Sequence, residues 1–192
     1  MNTLMAAAFP QPLAANTAAA ARLLLEPAHH QAQTFKVTVD GENVVIPYRI
    51  CSSEPAQAAA ETLTSIQQTI LSCWLTRHND GFIRQRHLER IIRQQYPWVV
   101  PFVVQLAGEY VWQIVEAINR ELSDVSQPGT TMSELYGDFA FRNPEFVDLT
   151  EQRAISYWNC YMRSRYLDLR DHPTRIFAKA VRQAGRDPRR NQ

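Results

Sequence analysis

The chain has 192 residues, of which 45% are hydrophobic and 20% are charged, and its formal net charge is +1. This composition can form a hydrophobic core, so it excludes a disordered acidic protein and a histone-like basic one. Three cysteines at scattered positions, Cys51, Cys73 and Cys160, exclude a disulfide framework and a CxxC zinc site. Because no basic residue precedes Arg22, a secretory signal is not expected, and we expect a cytoplasmic protein.

The N-terminal part of the sequence predicts a flexible arm followed by a β-hairpin. Residues 1–33 are rich in alanine and proline and have no sustained periodic pattern, which is typical of a loose arm. In residues 35–50, β-branched residues alternate on both sides of Asp40 and Gly41, a strong signal for a tight hairpin turn. Pro47 has no amide donor, so the second strand is expected at an edge.

Two amphipathic helices are predicted after the hairpin. The first begins near Ser53 and Pro55 and continues through Trp74 to the turn Asn79-Asp80-Gly81. The second is basic and covers residues 82–95. Because the joint between them is short, we expect an antiparallel pair.

Residues 98–122 are almost entirely apolar, and this pattern predicts one long helix at the centre of the fold. A helix that is apolar around most of its circumference must be buried on several sides. Its polar residues recur every three or four positions and would be costly in hydrocarbon, so we expect no membrane insertion. These residues are Gln105, Glu109, Gln113, Glu116 and Arg120.

The C-terminal third predicts further helices and a basic tail. Residues 151–184 contain two arginine-rich helical patterns separated at His172-Pro173, and residues 186–192 are expected to be disordered. The predicted fold is therefore mainly α: a single bundle-like domain over residues 34–185, with five to six helices around the 98–122 helix and one hairpin.

Opposite charges occupy neighbouring parts of the sequence. Residues 105–151 contain nine acidic and two basic residues, whereas residues 152–192 contain ten basic and three acidic ones. The two parts can pair internally, or the basic part can form a surface that binds anions. Only Lys36 and Lys179 among the twenty basic residues are lysine, and arginine favours planar, bidentate contacts.

The basic helix carries the first candidate site. Arg84, Arg86, His87 and Arg90 share helical faces at spacings of three and four residues. Such a face is a solvated or ion-paired surface, a site for an anion or nucleic acid, or a catalytic cluster. The spacing between His78 and His87 matches no helical metal signature, so no metal is expected.

Two further candidate sites come from the apolar segment and the C-terminal third. Glu109 lies beside Gly108 within the apolar segment, where it is a buried salt-bridge partner, a perturbed acid in a pocket or an exposed side chain. Near the C-terminus, Trp158, Tyr161 and Arg165 alternate aromatic rings with arginine. That composition can stack bases and hold phosphates, or it can belong to the core and to internal ion pairs.

No motif in the sequence names a reaction, since GxSxG, HExxH and a glycine-rich phosphate loop are all missing, and no cofactor is expected. We therefore favour a non-enzymatic helical interaction module, an adaptor, regulator or small inhibitor, that binds a protein partner or a second copy of itself. A second hypothesis is nucleic-acid binding through residues 82–95 and 151–184. A third is a small enzyme that uses Glu109 with a histidine or an arginine in a cleft.

Overall fold

The computed structural model describes residues 3–24 and 33–187 and confirms a mainly α fold with one small β-hairpin. Its residues group into two compact units, Met1–Ile91 and Ile92–Gln192. The single domain over residues 34–185 stays a prediction, and the predicted basic tail falls largely outside the described residues. No helix in the described part of the chain has the length and apolar character needed to cross a bilayer.

The first unit begins with short helices where the sequence predicts a loose arm. Helix α1 covers Thr3–Ala6, and α2 covers Ala14–Ala21. Phe9 lies between them and packs edge-on against Trp74, with ring centroids 5.5 Å apart. Met5, Ala8 and Leu24 are buried as well, so scattered apolar residues, and not a periodic face, pack this segment.

The predicted hairpin is confirmed. Strand β1, Thr34–Val39, pairs antiparallel with β2, Glu42–Pro47. Asp40 and Gly41 both have positive φ, 50° and 81°, as the tight turn of type I′ requires. One face of the hairpin is buried, because its alternating apolar residues pack inward: Phe35, Val37, Val39, Val44 and Ile46.

The helix predicted to begin near Ser53 is instead a short helix α3, Gln57–Ala60, followed by α4, Ser65–Leu75. Thr64 and Gln67 form a capping box that starts α4, since each side chain accepts a hydrogen bond from the other residue's backbone amide. Helix α5 covers Gly81–Ile91, which is shorter than the predicted 82–95, and it packs beside α4.

In the second unit, the predicted helix 98–122 is wrong in its continuity. Helix α6 covers Val100–Ala107 and α7 covers Trp112–Glu121. The Thr174 hydroxyl donates a 2.6 Å hydrogen bond to the Ala107 carbonyl, which is therefore satisfied at the end of α6. Gly108 follows as the cap residue, with Thr150 packed closely against it. Every residue of α6 is buried, so the predicted central position of this segment agrees with its burial.

Three further α-helices belong to the second unit. Helix α8 covers Thr131–Arg142, α9 covers Pro144–Tyr157, and α10 covers Pro173–Gly185. Helix α9 continues directly into a π-helical turn, Trp158–Met162. Thr150 lies inside α9, and its hydroxyl donates to the Phe146 carbonyl one turn earlier.

Candidate functional site

A histidine links three segments of the first unit. His87 on α5 lies 3.2 Å from the Ser72 hydroxyl on α4 through Nδ1 and 2.8 Å from a Glu54 carboxylate oxygen through Nε2. Serine, histidine and glutamate in this order resemble a hydrolytic triad in composition. However, Ser72 is only 5% exposed and lies within α4, so its hydroxyl faces the packed helix pair. These contacts connect Glu54, in the segment before α3, to helices α4 and α5.

The protonation of this cluster follows from its burial. Desolvation is the largest influence on His87 and lowers its pKa, although the hydrogen bond that His87 donates to Glu54 opposes that shift. For Glu54, partial burial raises the pKa, but the hydrogen bonds from Arg86 and His87 outweigh it and hold the pKa below its usual value. Near neutral pH the cluster therefore holds an ionised Glu54 beside a neutral His87.

The arginines predicted on the basic helix do not form one common face for an anion. The buried Arg84 donates two 2.9 Å hydrogen bonds to the carbonyls of His78 and Asn79, across the turn before α5. Arg86 forms an ion pair with Glu54, and Arg90 is exposed. Within α5, therefore, the three arginines have three different environments.

Glu109 lies in the break between α6 and α7 and is 3% exposed. The sequence placed it in the middle of a helix, and the break instead carries it between two helices. Its neighbour Tyr110 is 51% exposed, so adjacent residues of this linker face the interior and the solvent.

The same linker contributes to a cluster of exposed or partly exposed aromatic residues and arginines in the second unit. The other part of the cluster comes from the end of α9 and its π-helical turn. Single π-helical turns widen the backbone locally and occur frequently at functional sites. We call this cluster the aromatic-arginine surface; it consists of Tyr110, Trp112, Tyr157, Trp158, Tyr161, Arg163 and Arg165.

Three tyrosine rings form the middle of this surface. The centroid of Tyr110 lies 5.7 Å from Tyr157 and 6.4 Å from Tyr161, and the latter two are 6.3 Å apart. The rings are tilted against one another by 32° to 60°. Tyr161 is 69% exposed, so this aromatic group faces solvent instead of packing inside the core.

Two arginines cover indole rings at this surface. The guanidinium carbon of Arg165 lies 3.6 Å from the Trp112 ring centroid, and that of Arg163 lies 4.9 Å from the Trp158 centroid. Both contacts are in the range of cation–π interactions. Arg163 also donates a 2.6 Å hydrogen bond to Asn159, within the π-helical turn.

The surface is anchored to the interior by hydrogen bonds. The Trp158 indole donates to the Tyr166 carbonyl at 2.7 Å, and the Tyr166 hydroxyl donates to Glu116 on α7 at 2.5 Å. Burial and this bond to an acceptor raise the pKa of Tyr166, so its hydroxyl stays protonated. Beneath the turn, His172 contacts the Met162 sulfur at 3.0 Å. The Trp158 side chain is thus held in place before any partner binds.

Part of the predicted internal charge pairing is present. Arg182 bonds to Asp148 and Glu151 at 2.8 and 2.6 Å, and Arg175 lies 3.5 Å from Glu151. Arg163 and Arg165 are different: no carboxylate of the described residues lies at ion-pair distance from either. The basic third therefore supplies both internal ion pairs and exposed guanidinium groups.

The structure brings together three of the predicted site residues, Trp158, Tyr161 and Arg165. Sequence reasoning missed Tyr110 and Trp112 as site residues because it placed them inside a continuous helix. The missed signal was Gly108, which marks the end of α6. Arg84, Arg86, His87 and Arg90 lie in the first unit, and Glu109 is buried next to Tyr110.

Other parts of the described chain offer less for chemistry. A cleft of about 230 Å³ lies beside the C-terminal end of α10 and is lined by Phe141, Pro144, Val147 and Arg186, among others. Within residues 3–24 and 33–187, no group of three or more histidine, cysteine, aspartate or glutamate residues is placed to hold a metal ion. Comparisons of the chain with models of protein families, with curated proteins and with solved structures found no match.

Proposed function

We propose that this protein is a non-enzymatic interaction module, an adaptor, regulator or small inhibitor, that binds a protein partner through the aromatic-arginine surface. The observation that carries the proposal is the composition of this surface. Tyrosine, tryptophan and arginine are the residue types that supply most of the binding energy at protein interfaces. Here they are neighbours on one surface, and Tyr110 and Tyr161 are both more than half exposed.

The anchoring of the surface supports the same function. Binding costs conformational entropy whenever side chains must be ordered at the interface. Trp158 is already fixed by its bond to the Tyr166 carbonyl, and Trp112 is already stacked with Arg165. A partner would therefore meet aromatic groups that need little ordering.

Catalysis has weaker support. A nucleophile must reach its substrate, whereas Ser72 is buried beside His87. Glu109, the acid of the enzyme hypothesis, is buried as well.

The proposal is tested by photo-crosslinking in the cells from which the sequence comes. A photoreactive phenylalanine analogue replaces Tyr161 on the proposed surface. The control replaces Phe82 on α5, which is also well exposed, at 75%. We expect a discrete protein adduct from position 161 and none of that mass from position 82. The adduct mass distinguishes a second copy of the chain from a different protein.

Two results would contradict the proposal. One is an absence of protein adducts at position 161 while the variant accumulates in folded form. The other is an adduct at position 161 that persists when Tyr110 and Trp112 are both replaced by alanine, because the surface would then contribute nothing to the contact.

A further inference from the structure

We propose that the partner presents an acidic segment, in which carboxylates lie beside apolar side chains. Arg163 and Arg165 receive the carboxylates, and the tyrosines Tyr110, Tyr157 and Tyr161 receive the apolar side chains. This inference rests on the proposed function and specifies the chemistry of the partner.

The first argument is the geometry of the two guanidinium groups. A guanidinium that lies over an aromatic face keeps its N–H donors at its edges, where they remain able to bind a planar carboxylate in a bidentate manner. Arg165 lies over Trp112 at 3.6 Å and Arg163 near Trp158 at 4.9 Å. Stacking thus restricts both side chains while leaving donor groups for an external acceptor.

The second argument is charge. Several arginines elsewhere in the second unit have acidic partners, as in the pairs Arg93–Asp124, Arg142–Asp138 and Arg182–Glu151. Among the described residues, Arg163 and Arg165 have none at ion-pair distance, and both are exposed. The carboxylate of Glu116 on α7 accepts a hydrogen bond from Tyr166. Two positive charges beside exposed aromatic rings are complementary to an acidic, partly apolar segment.

The third argument separates such a segment from a single-stranded nucleic acid. Bases of a bound strand stack flat on exposed aromatic faces. At this surface one face of Trp112 is covered by Arg165, and the three tyrosine rings are tilted by 32° to 60°. Tilted rings make poor parallel platforms for bases but form good pockets for branched apolar side chains.

The experiment is selection of a random 12-residue peptide library on the full chain, followed by affinity measurement of the enriched peptides. The test variant replaces both Arg163 and Arg165 by glutamine. The matched control is Arg170→Gln, which removes an exposed arginine that pairs with Asp168. A third variant, Tyr161→Ala, reports on the surface itself, and circular dichroism verifies that all variants are folded.

We expect enriched peptides that combine aspartate or glutamate with leucine or phenylalanine. The double glutamine variant should bind them at least about tenfold more weakly, as expected for the loss of charge-assisted hydrogen bonds, while Arg170→Gln changes affinity less than about twofold. In the nuclear magnetic resonance spectrum, the indole N–H signals of Trp112 and Trp158 should move on binding. The signal of Trp74, which is buried in the other unit, should stay in place.

The outcomes separate the two proposals. Peptides that depend on Tyr161 but carry no excess of acids, or that bind the double glutamine variant equally well, would overturn the acidic partner and leave the interaction module intact. Peptides that bind Tyr161→Ala as tightly as the natural chain would overturn both the acidic partner and the interaction module. If oligothymidylate shifted the two indole signals at lower concentration than the peptides do, nucleic acid would replace the acidic segment as the ligand.

Discussion

Replacing Leu106 by alanine should destabilise the second unit by about 2–5 kcal/mol. The side chain lies on α6 and is 0% exposed, so the substitution removes three carbon atoms from a fully packed site. At about 0.8 kcal/mol for each buried methylene-sized group, the lost transfer free energy alone is about 2.4 kcal/mol. The cavity that remains adds to this cost, because the neighbouring helices close around it only partially.

The assay is urea unfolding followed by circular dichroism, with Leu167→Ala as the matched control. Leu167 is 89% exposed, so the same substitution there should change the free energy of unfolding by less than about 0.5 kcal/mol. A loss of less than about 0.5 kcal/mol for Leu106→Ala would refute the placement of α6 at the core of its unit.

Three other predictions concern the packing and protonation of named residues. Gly185→Ala should lower the free energy of unfolding by about 1–3 kcal/mol in the same urea assay, because the new methyl group would meet the Ala140 Cβ at 2.9 Å. A stabilised variant would contradict this close contact between helices. Burial lowers the pKa of His172, so below about pH 6.5 the unfolded chain binds more protons than the folded chain, and the free energy of unfolding falls as the pH falls. Between pH 7.5 and 5.5 the His172→Gln variant should therefore lose less of this free energy than the natural chain, and equal losses would refute the prediction. Glu54→Gln should lower the pKa of His87 further, because it replaces the carboxylate whose charge and hydrogen bond raise that pKa. A histidine titration left unchanged in nuclear magnetic resonance would show that Glu54 and His87 do not interact in solution.

The hairpin could be predicted from the sequence because its determinants are local. Asp40 and Gly41 adopt the positive φ angles that the turn needs, and the alternating strands beside them set the register. The signal for the start of α4 is equally local, because Thr64 and Gln67 form a capping box. It lies inside the segment that was predicted as one long helix.

The break between α6 and α7 has one local signal, Gly108 at the end of α6, but the contact that satisfies this helix end is not local. The Ala107 carbonyl at the end of α6 accepts a hydrogen bond from Thr174, which lies 67 residues later in the chain. Apolar periodicity carries no information about such a distant partner, and so the pattern over residues 98–122 predicted a continuous helix.

The same limitation explains which part of the candidate site was found. Trp158, Tyr161 and Arg165 are close together in the sequence, and their alternation of aromatic and basic residues was visible. Tyr110 and Trp112 join them only because the α6–α7 linker brings these rings to the end of α9. Sequence proximity therefore identified one side of the surface and missed the other.

The most direct test of the central claim is the affinity of the crosslinked partner for the natural chain, for Tyr161→Ala and for Phe82→Ala, measured by isothermal titration calorimetry. The account predicts that Tyr161→Ala weakens binding by at least about 2 kcal/mol, the level of an interface hot spot, while Phe82→Ala changes it by less than about 0.5 kcal/mol. Equal affinities for all three proteins would contradict the assignment of the aromatic-arginine surface as the binding site.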